Sequence, residues 1–268
     1  MTNLDSHYSR GDLRSRIKQA MKEAGIDPEA PVSPEQIRSF DQLHTDHLFG
    51  TRALAELAEI HRTTRVLDVG SGLGGPARYL ASTFGCTVTC LEPVFDFCDA
   101  AVMLNDMTGM AELVSVRNGS GTDIPLEDGS YDLVWTQNIT MNVEDMTSLF
   151  SEIRRVLVPG GHYVFQEVIA GPNQPIHFPV PWASTSEMSF LSSAEETRLT
   201  AARAGFEIVV FDENPTSEPV PGSEASAPPV NDLNESIIMP GIVNGRATNQ
   251  RNVAEDRVRR LRGLLRAV

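Results

Sequence analysis

Arg65-Val-Leu-Asp-Val-Gly-Ser-Gly-Leu-Gly-Gly-Pro-Ala-Arg-Tyr-Leu80 joins a short apolar run, a glycine-rich turn and the start of a helical pattern. Val66, Leu67 and Val69 form the run, Gly70, Gly72, Gly74 and Gly75 the turn, and Ala77, Tyr79 and Leu80 the helical face, with Pro76 suited to a first helical turn. The reading is strand, tight turn, helix. Glycine lets a ligand approach bare backbone, and the helix start behind it presents unpaired N–H groups. A nucleotide-type or nucleoside-type cofactor suits such a unit.

Gly70, Gly72 and Gly75 also satisfy the dinucleotide spelling G-x-G-x-x-G, so a nicotinamide oxidoreductase stays open at this point. Two acids accompany the turn. Asp68 precedes it within the strand, and Glu92 closes the next apolar run, Cys86-Thr-Val-Thr-Cys-Leu-Glu92, about where a ribose diol is gripped.

Outward from this unit, strands alternate with helices: a helix over about 76–84, a strand at 87–91, a helix at 96–108, strands near 111–117 and 131–136, a helix at 145–156 and a strand at 162–167. Alternation of this kind predicts a parallel sheet covered by helices on both faces. Ahead of it, residues 12–24 carry Leu13, Ile17, Ala20 and Met21 at helical spacing; Ser33 and Pro34 read as an N-cap and first residue of a second helix, and a third is expected over about 51–61. The proline-rich 170–183 reads as a loop over the ligand edge of the sheet, and 213–230, rich in Pro, Ser and Glu, as a mobile surface loop. A helix at 193–204 and a strand at 206–211 lie between them. Residues 251–268 fit either a helix or an alternating strand face.

The sequence resembles the class I S-adenosylmethionine-dependent methyltransferases, whose first motif is similar to Val66-Leu-Asp-Val-Gly-Ser-Gly-Leu-Gly-Gly75. The resemblance implies an α/β, Rossmann-like, seven-stranded and mostly parallel sheet with helices on both faces, an N-terminal helical lid, and a lid insertion after the fifth strand. It favours a strand for the final stretch, in a hairpin. The expected division is an arm at 1–50 and a methyltransferase domain at 51–268, with 170–192 and 212–250 as insertions.

For the site, the resemblance implies S-adenosylmethionine along Asp68, Gly70, Ser71, Gly72, Gly74, Glu92 and Pro93, with Glu92 at the ribose and Asp68 near the methionine end. Asn118-Gly-Ser-Gly-Thr-Asp-Ile-Pro125 resembles the adenine loop, with Ser120 where the family usually has aspartate and Gly121 beside it. A hydroxyl still accepts a hydrogen bond, though less strongly than a carboxylate. Asp128 to Asn138 resembles the fourth strand, whose end puts Thr136 and Gln137 beside the cofactor and Asn138 beside the acceptor. Ile153-Arg-Arg-Val-Leu-Val-Pro-Gly-Gly161 carries the fold signature.

Candidate bases stand in Asp41-Gln-Leu-His-Thr-Asp-His47, where His44 and His47 are spaced to share a helical face. This stretch and Val180-Pro-Trp-Ala183 resemble the sarcosine and dimethylglycine type of small-molecule methyltransferase. Tyr8, His177 and Trp182 are further candidates for the acceptor pocket. The expected reaction is methyl transfer to a small acceptor, at nitrogen first and oxygen second, with a carbon of a lipid, sterol or prenyl compound as an alternative.

A formal charge of −14 would repel a phosphate backbone, so nucleic acid is not expected as a partner. No run approaches the roughly 20 apolar residues of a membrane span, and no N-terminal apolar stretch suggests a signal peptide, so a cytoplasmic location without a membrane partner is expected. Cys86, Cys90 and Cys98 have neither disulfide nor zinc spacing and read as small buried hydrophobes, and no metal site is expected.

Overall fold

A computed structural model describes residues 8, 11–44, 46–215 and 240–268. β1 (Arg65–Val69), the opening strand of the glycine unit, lies inside a seven-stranded sheet. The others are β2 (Thr87–Glu92), β3 (Val114–Asn118), β4 (Tyr131–Gln137), β5 (Leu157–Ala170), β6 (Phe206–Glu213) and β7 (Val258–Ala267). Their order across the sheet is β3-β2-β1-β4-β5-β7-β6. β1 to β5 run parallel, and β7 runs antiparallel between β5 and β6.

The strand order reverses between β1 and β4, and in open α/β sheets the crevice at that reversal, outside the carboxyl ends of the strands, receives the ligand. Every candidate cofactor motif belongs to a segment near these ends. α4 (Gly75–Phe84) follows β1, α5 (Phe95–Met107) follows β2, and α6 (Met146–Val156) precedes β5. α6 starts where Asp145 accepts from the Ser148 N–H, capping a group that would otherwise be unpaired. α7 (Ala194–Arg203) starts on a capping box of Ser193 and Glu196. Two apolar layers sandwich the sheet, one built around Leu67, Val134, Phe150 and Tyr163, the other around Val66, Leu80, Trp135 and Val164.

The N-terminal helices pack against the sheet domain. α1 (Leu13–Glu23) buries Leu13, Ile17, Ala20 and Met21 against α5 residues including Phe97, Ala100, Met103 and Leu104. α2 (Pro34–Asp41) and α3 (His47–Leu57) lead from it to β1. Cys86, Cys90 and Cys98 are buried free thiols.

The final strand is present and pairs antiparallel with β6, but the two are not joined by a tight hairpin. Most of the 213–230 stretch expected to be a loop lies outside the described residues. From Pro240 the chain is helical to Ala254, forming α8, so the expected insertion at 212–250 does not end as a loop. Polar residues and two glycines hide that helix from a periodicity reading. Gly245 is there for contact: a Cβ on it would lie 2.2 Å from the Val180 carbonyl carbon, so α8 reaches the proline-rich loop only through a bare backbone. Asn252 completes the junction, accepting from the His177 N–H at 2.8 Å and donating to the His177 carbonyl at 2.9 Å.

Candidate active site

A cavity of about 750 Å³ opens at the carboxyl ends of β1, β2 and β4. Its inner half is built from Asp68, Gly70, Ser71, Gly72, Glu92, Pro93, Ser120 and Gly121, and its outer half includes Gln137, Asn138, Met141, Asn142 and Trp182. Tyr8, His44 and His47 reach it from the N-terminal arm.

The glycine turn is shaped by the neighbouring strand. Gly70 N–H donates to the Leu91 carbonyl at 2.8 Å, and Gly72 N–H donates to Glu92 Oε2 at 2.9 Å. The other carboxylate oxygen of Glu92 accepts from the Val94 N–H at 2.9 Å. Glu92 therefore fixes both the turn and the entry to α5 while facing the cavity. Burial pushes its carboxyl up to about 7, against the two N–H groups that favour the ionised form. Asp68 is nearly inaccessible, and its Oδ2 is buried without a hydrogen-bond partner among the described residues. Burial first and the Glu92 charge second drive its carboxyl well above the ordinary range, with Arg78 pulling the other way.

Gly70 has φ 70°, and a Cβ on it would lie 2.4 Å from Ile139 Cγ2. Gly70→Ala is therefore expected to displace the 138–140 segment from the cavity wall and to abolish measurable ligand binding, while thermal unfolding remains cooperative. Unchanged binding in a titration would contradict this packing.

A buried polar network joins the arm to β4. Trp135 Nε1–H can only donate, and it does so to Gln137 Oε1 at 2.9 Å. This turns the Gln137 amide nitrogen toward His44 Nδ1 at 3.2 Å, making Nδ1 an acceptor. His44 Nε2 then carries the proton and faces Gln42 Oε1 at 3.0 Å and Thr51 Oγ1 at 3.1 Å. Both nitrogens of His44 are held by side chains. His47 differs: its Nδ1 lies 2.6 Å from the Gln42 carbonyl, which can only accept, so Nδ1 donates and the neutral ring keeps its lone pair at Nε2.

These two histidines do not share a helical face as their spacing suggested. α2 ends at Asp41 and α3 begins at His47, and Asp46 and His47 take φ values of 64° and 45° at the turn between them. Three other assignments change. Thr136 is buried on the side of β4 opposite Gln137, as alternation requires, and it bonds Tyr163 and Glu167 rather than lining the cavity. Gly74 sits behind the turn, where a Cβ would meet Arg78 Nη1 at 3.1 Å. His177 pairs with Glu255 Oε2 at 2.9 Å outside the cavity.

Glu167, absent from the sequence reading, holds the outer wall. Its Oε1 accepts from Thr136 Oγ1, and its Oε2 accepts from the Ile139 and Thr140 N–H groups and from Thr140 Oγ1, at 2.7–3.0 Å. Asn142 was missed as well. It accepts from the Tyr8 hydroxyl at 2.9 Å and donates to the carbonyls of Trp182 and Met188, tying arm and proline-rich loop together above the cavity. Arg246, Asn249 and Gln250 add α8 to the lining. No sequence signal marked them, because the helix that presents them has no apolar period.

The family model described as a methyltransferase domain matches residues 67–165. Over 150 residues the chain is 33% identical to a sarcosine/dimethylglycine N-methyltransferase of Aphanothece halophytica, covering 56% of this chain and 54% of that protein. Over 160 residues it is 31% identical to a glycine/sarcosine/dimethylglycine N-methyltransferase of Actinopolyspora halophila, covering 60% of this chain and 28% of the other. The chain thus spans about half or less of the length of these relatives. Among solved structures, a candidate sarcosine dimethylglycine methyltransferase from Galdieria sulphuraria superposes with a TM-score of 0.65 at 24% identity, covering 83% of this chain and 84% of that one. The strand order, the motif series and these matches agree on a methyltransferase-type domain, with residues 67–165 matching the family model.

Proposed function

We propose that the cavity binds S-adenosylmethionine in its inner half and methylates a small amine in its outer half. The observation that carries the reading is the pair of buried acids at the switch point, Asp68 with an orphaned oxygen and Glu92 with both oxygens turned on the glycine loop and α5. Two buried carboxylates facing one cavity suit a ligand that is cationic and rich in hydroxyl donors. Glu92 would accept from the ribose diol, Ser120 and Gly121 would meet the adenine, and Asp68 would face the methionine portion. When bound, the cofactor supplies an electrophilic methyl group on a sulfonium.

The chain's own residues then have to align the acceptor and exclude water. Asn142 holds the arm and the proline-rich loop over the cavity, with Tyr8 and Trp182 in its wall. An ammonium acceptor must also lose a proton before it can attack. His47 is positioned for this, because the tautomer fixed by the Gln42 carbonyl leaves Nε2 as the basic nitrogen. The relatives named for sarcosine and dimethylglycine support nitrogen as the acceptor atom. No helix among the described residues is long and apolar enough to cross a membrane.

A labelled-methyl screen of amines, phenols, sterols and prenyl compounds tests the acceptor class. Amines alone are expected to accept label, and labelled sterol or prenyl products with unlabelled amines would overturn the nitrogen assignment. His47→Gln is expected to lower kcat by roughly 10²- to 10⁴-fold while cofactor affinity changes little. An unchanged kcat on the accepted amine would remove His47 from the proton transfer.

A further inference from the structure

Arg78, one turn into α4, is fully buried and does not line the cavity. Its Nη2 donates to Asp41 Oδ2 at 3.0 Å and to the Leu73 carbonyl at 2.6 Å, and its Nε reaches the same Asp41 oxygen at 3.3 Å. Its Nη1 donates to Asn105 Oδ1 at 2.8 Å. One planar guanidinium thus spans the end of α2, the glycine loop and α5. The chain approaches closely at the same place: a Cβ on Gly75 would lie 2.3 Å from the Asp41 carbonyl oxygen. The third glycine of the G-x-G-x-x-G spelling therefore serves the docked arm, since Gly75 does not line the cavity.

A buried guanidinium that loses its carboxylate is strongly unfavourable. Undocking the arm removes Asp41 from Arg78, and Arg78 must then rearrange toward water and release the Leu73 carbonyl. Leu73 directly follows Gly72, whose N–H donates to Glu92. The loop's shape and the arm's position thus share one charge.

We propose that Arg78 and Asp41 are positioning residues that make the shape of the cofactor loop conditional on a docked N-terminal arm, so that arm docking and cofactor binding are coupled. The coupling rests on the cofactor reading and is reciprocal: whatever the arm contributes to cofactor affinity, the cofactor returns as arm stability. The arm also carries His44 and His47, so cofactor binding would assemble the acceptor side of the site.

The test combines calorimetry with hydrogen exchange on the full chain, using S-adenosylhomocysteine as the probe. In the wild type the ligand is expected to slow exchange at the Ile37 to Ser39 amides, which belong to α2 and do not line the cavity. Asp41→Leu combined with Arg78→Met removes both charges together and leaves no lone buried ion. It is expected to weaken ligand binding at least tenfold and to abolish the ligand's effect on α2 exchange. Gly75→Ala, which forces the arm away without touching a charge, should act in the same direction and serves if the double variant does not fold. Arg14→Gln breaks a surface ion pair with Asp99 that also links α1 to α5, and it should leave affinity unchanged. Wild-type affinity in the double variant or in Gly75→Ala, or α2 exchange indifferent to ligand in the wild type, would overturn the coupling alone. A wild-type protein that binds no S-adenosylhomocysteine would overturn the cofactor reading and the coupling with it.

Discussion

Glu92→Ala is expected to weaken S-adenosylhomocysteine binding by roughly 10²- to 10⁴-fold, equivalent to about 1.5–3 kcal/mol for each of two charge-assisted bonds to a ribose diol. The geometry makes the loss larger than that of a peripheral contact. Both carboxylate oxygens already hold main-chain N–H groups, at Gly72 and Val94, so removing the side chain also frees the glycine turn and the entry to α5. Glu92→Gln tests the charge separately. Its amide retains one acceptor oxygen but turns a donor toward an N–H, so an intermediate loss is expected. Equal affinity of wild type and Glu92→Ala in a titration would remove Glu92 from the ribose site.

The elevated carboxyl of Glu92 adds a pH dependence whose sign can be worked out. A hydroxyl donor prefers the ionised carboxylate, so ligand affinity should rise as pH increases through about 7, with proton release on binding. Stability of the ligand-free protein should move the other way. Because burial raises this group in the folded state, its contribution is fully present below the unfolded-state value and declines as pH rises through about 7. Calorimetry in buffers of different ionisation enthalpy measures the released proton. In Glu92→Gln the part of the slope centred near 7 should vanish.

The second large effect is expected in stability. Glu167→Ala would leave the Ile139 and Thr140 N–H groups and the hydroxyls of Thr136 and Thr140 without their shared acceptor. The hydroxyls can turn to other acceptors, so the two main-chain N–H groups, at about 1–3 kcal/mol each, set an expected loss on the order of 2–6 kcal/mol, against a total stability of about 5–15 kcal/mol for a typical domain. Urea unfolding followed by circular dichroism should show the midpoint falling steeply. Glu167→Gln should fall between the two, since one oxygen still accepts. A midpoint unchanged in Glu167→Ala would mean that water replaces the carboxylate and that the outer wall does not depend on it.

The inner half of the site was legible because its chemistry is local. Asp68, Gly70, Ser71, Gly72, Glu92 and Pro93 follow one another within two strand ends, and such spacing survives in a linear reading. Thr136 was misplaced for the converse reason: period-two alternation puts Gln137 toward the cavity and Thr136 away from it, and a motif match does not resolve one residue. His44 and His47 looked like one helical face because a turn with positive φ at Asp46 and His47 leaves no spacing signature.

The outer half depends on contacts between segments far apart in sequence. Tyr8 meets Asn142 across 134 residues, and Gly245 packs on the Val180 backbone because the glycine has no Cβ to hold them apart. Arg78 reads in sequence as an ordinary helix arginine. Its role exists only once Asp41, Leu73 and Asn105 converge on it.

Isothermal titration of one folded sample with S-adenosylhomocysteine and, separately, with NADH tests most directly whether this cavity is a methyltransferase cofactor site. Saturable binding of one S-adenosylhomocysteine per chain, lost in Glu92→Ala, together with no saturable heat from NADH, is the predicted result. Saturable NADH binding with no response to S-adenosylhomocysteine would contradict the assignment of Asp68, the glycine turn and Glu92, and would return G-x-G-x-x-G to its nicotinamide reading.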